Sequence, residues 1–220
     1  MNIREFKTTL YQEMSGLTKA LGNPHRLEIL DLLAQGPASV EYIAKHTNMT
    51  IGNASQHLQV LKNARIIESK RDWKYINYRL ADQNVFDAWS ALRKLSFSHN
   101  ATLNQLLVDY RSRQKFLQII SPKELVDKMN RQEVVIIDVR PEEEYLNAHI
   151  KQALSIPKKN LEERLNELPD DKEIVVYCRG PLCLMADEAI EILNNHGFNA
   201  ARLENGYPDW AAKNLPVEVG

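Results

Sequence analysis

Two nearly continuous β-branched runs constrain this chain more than any other feature: Val134-Val-Ile-Ile-Asp-Val139 and Glu173-Ile-Val-Val-Tyr-Cys178. A strand with no polar face must be covered on both sides, which is the habit of parallel sheets flanked by helices. Helical signals follow each run. Arg140-Pro141-Glu142-Glu143-Glu144 opens a short helix, and Met185–Asn195 reads as a longer one that ends at His196-Gly197. Ala200–Leu203 reads as a further strand. This alternation predicts an α/β sheet, and ligands of such sheets sit beyond the carboxyl ends of the strands. Cys178 stands at such an end.

The residues after it are Arg179-Gly180-Pro181-Leu182-Cys183. A tight loop running into a helix N-terminus turns backbone N–H groups inward and makes an anion cradle. The same field favours thiolate over thiol, and Arg179 adds positive charge nearby. Cys178 is thus a candidate nucleophile; the plainer alternative is an inert cysteine at a buried strand end. Cysteine phosphatases need an arginine six residues after the nucleophile, and that position is Leu184. Phosphate chemistry is disfavoured, which leaves sulfur transfer.

From about residue 121 to 220 the chain resembles a single-domain rhodanese. The matching stretches are Asp138-Val-Arg140-Pro-Glu-Glu-Glu-Tyr145, Ala148-His149-Ile150, Ala153-Leu-Ser-Ile-Pro157, the Cys178 loop, Leu203-Glu-Asn-Gly206 and Trp210. The resemblance implies that Cys178 forms the persulfide, with Asp138 and Arg140 organising the surroundings of the loop. Rhodaneses that favour thiosulfate carry Arg, Lys or Thr where this chain has Cys183. Its loss of a cation weakens binding of a dianionic donor and supplies a second thiol. Cys183 is either a resolving thiol for Cys178 or a small residue packing the loop; whether the two sulfurs meet depends on loop geometry.

The formal charge of -1 hides a division. Up to Lys115 there are 16 Lys and Arg against 10 Asp and Glu; from Phe116 onward there are 12 against 19. A basic half that meets nucleic acid and an acidic half that does not are expected. Both cysteines and seven of the nine prolines fall in the acidic half. The junction is placed near Arg111–Ser121, where Ser121 caps a helix, Pro122 takes its first position and Glu124 completes a capping box. Two domains follow, 1–115 and 116–220.

In the basic half, Leu27–Leu33 has helical spacing and stops at Gln35-Gly36-Pro37. Ser39 caps a short helix with Val40, Ile43 and Ala44 inward. After Thr47-Asn48 a second helix runs from about Thr50 to Asn63 with Ala54, Leu58 and Leu61 on one face. This is helix-turn-helix patterning. The outward Asn53, Ser55, Gln56, His57 and Gln59 are suited to base edges in a major groove, and Lys62 and Arg65 to phosphates. Ile66–Lys70 pairs back on the alternating Tyr75–Leu80 across Arg71-Asp72-Trp73-Lys74, a hairpin with a basic, aromatic tip. Arg71 and Lys74 are its candidate backbone contacts.

Leu21-Gly-Asn-Pro-His-Arg-Leu-Glu-Ile-Leu30 and Asn53-Ala-Ser-Gln-His-Leu-Gln-Val-Leu-Lys62 resemble the ArsR family of dimeric winged-helix repressors, over roughly residues 8–98. The resemblance implies a homodimer built on the first and last helices. A stripe of Val85, Trp89, Leu92, Leu95, Leu103, Leu106 and Tyr110 along one long helix agrees with that, although burial within its own chain would also explain it. The family's cysteine and Asp/His metal sites have no counterpart here: this half has no cysteine, Asp87 is followed by Ala88 and Trp89, and His99 lacks a spaced partner. No metal or cofactor is expected.

The fold class is therefore two domains, a mainly α winged helix-turn-helix and an α/β rhodanese-like parallel sheet. The function expected is a homodimeric repressor of a double-stranded DNA operator that senses a small sulfur donor or oxidant at Cys178. The alternatives are a sulfurtransferase or thiol-dependent reductase whose winged helix serves autoregulation or dimerisation, and a docking module with inert thiols. No apolar run reaches the ~18 residues of a membrane span, the N-terminal residues lack an apolar signal core, and two cysteines make no disulfide scaffold. A cytoplasmic setting is the expectation.

Overall fold

The computed structural model describes residues 1–73, 75–112 and 117–220, in two compact units, Met1–Ser96 and Phe97–Gly220. In the first, α1 (Ile3–Leu21) begins with a capping box between Asn2 and Glu5. Next, α2 (Pro24–Leu33) starts at the Asn23 cap with proline in its first turn. A two-residue β1 (Ala38–Ser39) leads through the Ser39 cap into α3 (Val40–His46), and Thr50 caps α4 (Ile51–Asn63). The hairpin β2 (Ile67–Asp72) and β3 (Tyr75–Leu80) is antiparallel, and β1 adds to its far edge in the order β1-β3-β2. Ile29, Leu30, Ile43, Ala54, Leu58 and Leu61 form one buried cluster among these elements. The first unit runs into α5 (Gln83–His99). Trp89 Nε1 donates to Asp31 of α2 at 3.2 Å, and Arg93 lies 3.7 Å from the same carboxylate.

The single long helix expected through Tyr110 is two helices. Asn100 interrupts it and accepts from the N–H of Leu103 through its side chain at 3.1 Å, so it caps α6 (Ala101–Ser112). Asparagine competes for backbone partners in a helix interior and gains by capping one. The stripe is not uniformly buried either: Trp89 of α5 is buried, whereas Leu95 of α5 and Leu106 of α6 are exposed. On α1, Ile3, Phe6, Leu10, Tyr11, Met14 and Leu17 are exposed as well.

The second unit continues with β4 (Gln118–Ile120), α7 (Pro122–Asn130), β5 (Val134–Asp138), α8 (Glu142–Asn147), β6 (His149–Ile150) and β7 (Leu154–Ser155). Then come β8 (Glu173–Tyr177), α9 (Met185–Asn195), β9 (Ala200–Leu203), α10 (Tyr207–Ala211) and β10 (Val217–Glu218). Five strands form one parallel sheet in the order β4-β9-β8-β5-β7. Ser121 caps α7 and Pro122 opens it, but Glu124 does not complete a capping box; its carboxylate lies 3.4 Å from Lys128 one turn on.

Strand alternation sorts the sheet into two faces. Ile136, Val175, Tyr177, Ala201 and Leu203 join Leu125 and Trp210 in one core, while Ile137, Ile174, Val176, Cys178 and Ala200 join Ala186, Ala189, Ile190 and Leu193 of α9 in the other. That register puts Cys178 on the α9 face. It puts Arg202, paired with Val176, on the same face.

Candidate functional site

Strand β8 ends at Tyr177, and the next seven residues turn from the sheet into α9. Helix α9 has no side-chain cap, so its first N–H groups need other acceptors. The two cysteine sulfurs supply them. The backbone N–H groups of Gly180 and Ala186 serve Cys178, and those of Arg179 and Met185 serve Cys183. The thiols are free, and their side chains hydrogen-bond to each other. Cys178 is buried, with only 2 % of its surface exposed, whereas Cys183 is half-buried.

Burial by itself raises a thiol's pKa. Here the hydrogen bond from Cys183, the charge of Arg202 and the N–H groups of Gly180 and Ala186 outweigh it and lower Cys178 to about 7. The Cys183 thiol goes well up, held by its bond to Cys178, by burial and by the neighbouring negative charge. The pair therefore gives up its first proton around neutrality, which these directions favour at Cys178, and keeps the second on Cys183.

The cation beside the sulfur differs from the sequence expectation. Arg179 turns to Glu144 on α8, donating from Nε at 2.9 and 3.1 Å and from Nη2 at 2.5 Å to that buried carboxylate. A buried carboxylate needs such a partner, and Arg179 anchors the loop there. The charge that acts on Cys178 belongs to Arg202, which donates to the Gly180 carbonyl at 3.1 Å. Its Nε lies 2.9 Å from Asp187 Oδ1, an ion pair without a well-aligned hydrogen bond. Arg111 of α6 donates to the Pro181 carbonyl at 2.9 Å and faces Asp187 Oδ2 at 3.4 Å. Arg202, Asp187 and Arg111 were not among the sequence candidates, although a lone arginine in the apolar run Ala-Ala-Arg-Leu and a carboxylate on the Ala186/Ile190 face of a helix were visible signals.

Asp138 and Arg140 lie below, fully buried and paired: Arg140 Nε donates to both Asp138 oxygens at 3.0 Å, and Nη2 to Oδ2 at 2.6 Å. Tyr177 adds a 2.7 Å bond to Asp138. The Arg140 guanidinium stacks 4.6 Å from the Tyr207 ring and donates to the Ala148 carbonyl at 2.9 Å. Desolvation opposes the Arg140 charge, but Asp138 overcomes it and drives its pKa up. These groups brace the strand ends and do not reach the sulfurs. Gly206 was also missed as a site residue. A Cβ there would lie 2.3 Å from the Arg179 carbonyl group and 2.4 Å from Gly180 N, so only glycine lets the β9–α10 turn pass under the loop.

In the first unit, Ser55, Gln56 and Gln59 lie on the exposed face of α4, and Asn53 is half-buried. Gln59 donates to Asn63 at 2.7 Å. His57 is half-buried against His25 of α2, ring centroids 5.3 Å apart; burial, then His25, then Arg26 lower its pKa. Lys62 donates to Ser69 of β2 at 2.7 Å, which ties α4 to the hairpin. Arg71 is exposed and donates to the Trp73 carbonyl at 3.3 Å, Trp73 being 90 % exposed at the tip. Lys74 lies outside the described residues. Among the described residues no three His, Cys, Asp or Glu side chains gather as a metal site, and no helix is long and apolar enough to cross a membrane.

A helix-turn-helix with a β-hairpin, and a parallel sheet bearing a cysteine loop, define a two-part regulator class. The bacterial regulatory protein arsR family matches residues 23–69, and the rhodanese-like domain family matches residues 121–213. The chain is 37% identical over 214 residues to the HTH-type transcriptional regulator Rv0324 of Mycobacterium tuberculosis, covering 97% of this chain and 94% of the relative. It belongs to the ArsR-family HTH-type transcriptional regulators that carry a C-terminal rhodanese-like domain. Smaller shares of the chain match other relatives. The transcriptional repressor SdpR of Bacillus subtilis is 39% identical over 67 residues, 30% of this chain and 74% of that one. The putative sulfurtransferase YtwF of Bacillus subtilis is 32% identical over 98 residues, 44% of this chain and 93% of that one.

Proposed function

We propose that this DNA-binding regulator is a cytoplasmic homodimeric repressor whose rhodanese-like part senses reactive sulfur through Cys178. Residues 1–115 bind operator DNA and dimerise, and residues 116–220 form the sensor. The carrying observation is the pair of free cysteines, Cys178 and Cys183, in contact within the loop that leads into α9, in a chain with no other thiols. In the sensing step the Cys178 thiolate attacks the terminal sulfur of a hydropolysulfide. A new S–S bond forms, the old one breaks and the shortened polysulfide leaves with the electron pair. Cys183 then attacks Cys178 Sγ; its proton leaves with the outer sulfur as hydrogen sulfide, and both cysteines are oxidised to a disulfide.

Exposed Ser55, Gln56 and Gln59 with Asn53 and His57 are the proposed base-reading set on α4, and Lys62, Arg71 and Lys74 the phosphate contacts. The exposed apolar face of α1 is the proposed dimer surface. The test measures operator affinity, on DNA selected from a random pool by the reduced protein, with and without polysulfide, for the parent and Cys178→Ser. Polysulfide should change the parent's affinity and leave Cys178→Ser unaffected. Equal affinity in all four conditions would sink sulfur sensing. The likeness to YtwF favours a second reading, a sulfurtransferase: rapid cyanide-dependent turnover, with DNA binding indifferent to Cys178, would select it.

A further inference from the structure

We propose that Arg111 on α6 is a positioning residue for the Cys178 loop and the strut through which a change in that loop reaches the helices before it. The second half of this proposal rests on the sulfur-sensing reading above. Asp187 of α9 is fully buried and carries an arginine on each oxygen, Arg202 at Oδ1 and Arg111 at Oδ2. Each arginine also takes a loop carbonyl, Arg202 that of Gly180 and Arg111 that of Pro181. One buried carboxylate thus fixes two cations, each of which also holds a carbonyl of the cysteine loop. In a trans peptide the N–H points opposite to the C=O, so gripping the Pro181 carbonyl also sets the Leu182 N–H. Burial, then the charges of Glu188, Asp187 and Glu191 on the first turns of α9, raise the pKa of Tyr110, the residue before Arg111.

Pro181 lies midway between the two cysteines. A bond between their sulfurs replaces a hydrogen bond by a covalent link of ~2.05 Å with a fixed dihedral, and the loop between them must contract. Its carbonyl at residue 181 then leaves Arg111, which loses one of its two ties. Only Asn100 separates α6 from α5, and α5 begins in the DNA-binding unit. The path from sulfur to DNA-binding segment is therefore one side chain and one capped helix junction.

The test uses full-length Arg111→Gln and Arg111→Lys. In the reduced proteins, alkylation of Cys178 by iodoacetamide is followed against pH by mass spectrometry. Arg111→Gln should move the midpoint upward and slow the reaction at pH 7 about fivefold, the loss of thiolate for a rise of about one pH unit. Arg111→Lys, which keeps the charge beside Asp187, should recover part of it. A profile of Arg111→Gln that superimposes on the parent overturns the positioning role. DNA affinity is then read with and without polysulfide. Where the parent changes about tenfold, a common size for such coupling, Arg111→Gln should change less than threefold while Cys178 is still modified. An undiminished response overturns the strut. If the parent gives no response, the sensing reading fails and the strut with it, while the alkylation profile still decides positioning. If Arg111→Gln loses its far-ultraviolet dichroism, Arg111→Lys decides by the same two readouts.

Discussion

Replacing Arg202 by Met should cost the protein both stability and thiolate. Arg202 is 2 % exposed, and its partner Asp187 is fully buried. Removing one member of a buried ion pair leaves an uncompensated charge and costs about 3–5 kcal/mol. Asp187 keeps Arg111 at 3.4 Å, so the lower end, about 3 kcal/mol, is expected. The sulfur adds a pH-dependent part. Cys178 falls from 9.0 to about 7 in the folded protein. A depressed pKa means that the stabilisation is fully present above the unfolded value, near pH 9, and is lost as pH falls through about 7. Two pH units correspond to about 3 kcal/mol at most, shared among Cys183, Arg202 and two N–H groups. Arg202→Met should therefore lose more stability at pH 9 than at pH 6, and its Cys178 alkylation midpoint should rise. Urea unfolding of reduced protein at both pH values measures the first, and iodoacetamide kinetics the second. The double variant Asp187→Leu/Arg202→Met removes the stranded carboxylate and should unfold at higher urea than Arg202→Met. A single variant within 1 kcal/mol of the parent at pH 9, with an unshifted midpoint, would refute the assignment of Arg202.

Gly206→Ala should force the Cys178 loop aside, because its Cβ would lie 2.3 Å from Arg179 backbone atoms; a loss of about 1–3 kcal/mol and slower alkylation at pH 7 are expected from melting and kinetic assays. Cys183→Ala removes the first cause of Cys178's lowered pKa, so the alkylation midpoint should rise, and polysulfide should leave a lasting Cys178 persulfide in the mass spectrum with no intraloop disulfide. On DNA, Gln56→Ala should relax base preference by roughly 1–3 kcal/mol per lost bidentate contact, whereas Arg71→Ala should weaken all sequences alike and shallow the salt dependence. Leu10→Glu on the exposed face of α1 should shift the sedimentation coefficient toward that of a monomer.

Period and turn chemistry made most of the architecture legible beforehand. The double-sided burial of β5 and β8, the helix pair α3/α4 and the hairpin all follow from spacing of apolar residues. What eluded the sequence was set by competition between neighbours. Val85 to Tyr110 keeps helical spacing across Asn100, and periodicity cannot register that one asparagine gains more by capping Leu103 than by continuing the helix. Glu124 satisfied the capping-box pattern, yet Lys128 offers its carboxylate an ion pair one turn on. Arg179 stands next to Cys178 in the chain, but alternation at the strand end turns it toward the buried Glu144. The cation that matters comes from β9, twenty-four residues later in sequence and adjacent only across the sheet.

That displacement bears on how the loop works. An arginine adjacent to the nucleophile would move with it and could favour the thiolate in any loop conformation. An arginine fixed in β9 by Asp187 favours the thiolate only while the loop keeps the sulfur near it. The same arginine holds the Gly180 carbonyl, so loop conformation and thiolate charge are stabilised together. Protonation or oxidation of Cys178 removes the negative charge that Arg202 faces, and the loop then rests on its carbonyl contacts with Arg202 and Arg111, the Arg179–Glu144 pair and the Tyr207 N–H donated to the Cys178 carbonyl. A cysteine loop whose conformation depends on the charge of its own sulfur is suited to signalling as well as to transfer. In a pure transferase the scaffold is expected to hold the loop alike in thiolate and persulfide forms. Hydrogen exchange of the Gly180–Ala186 amides separates the two cases: protection that falls when Cys178 is alkylated or bridged fits a sensor, and protection that stays constant fits a turnover enzyme.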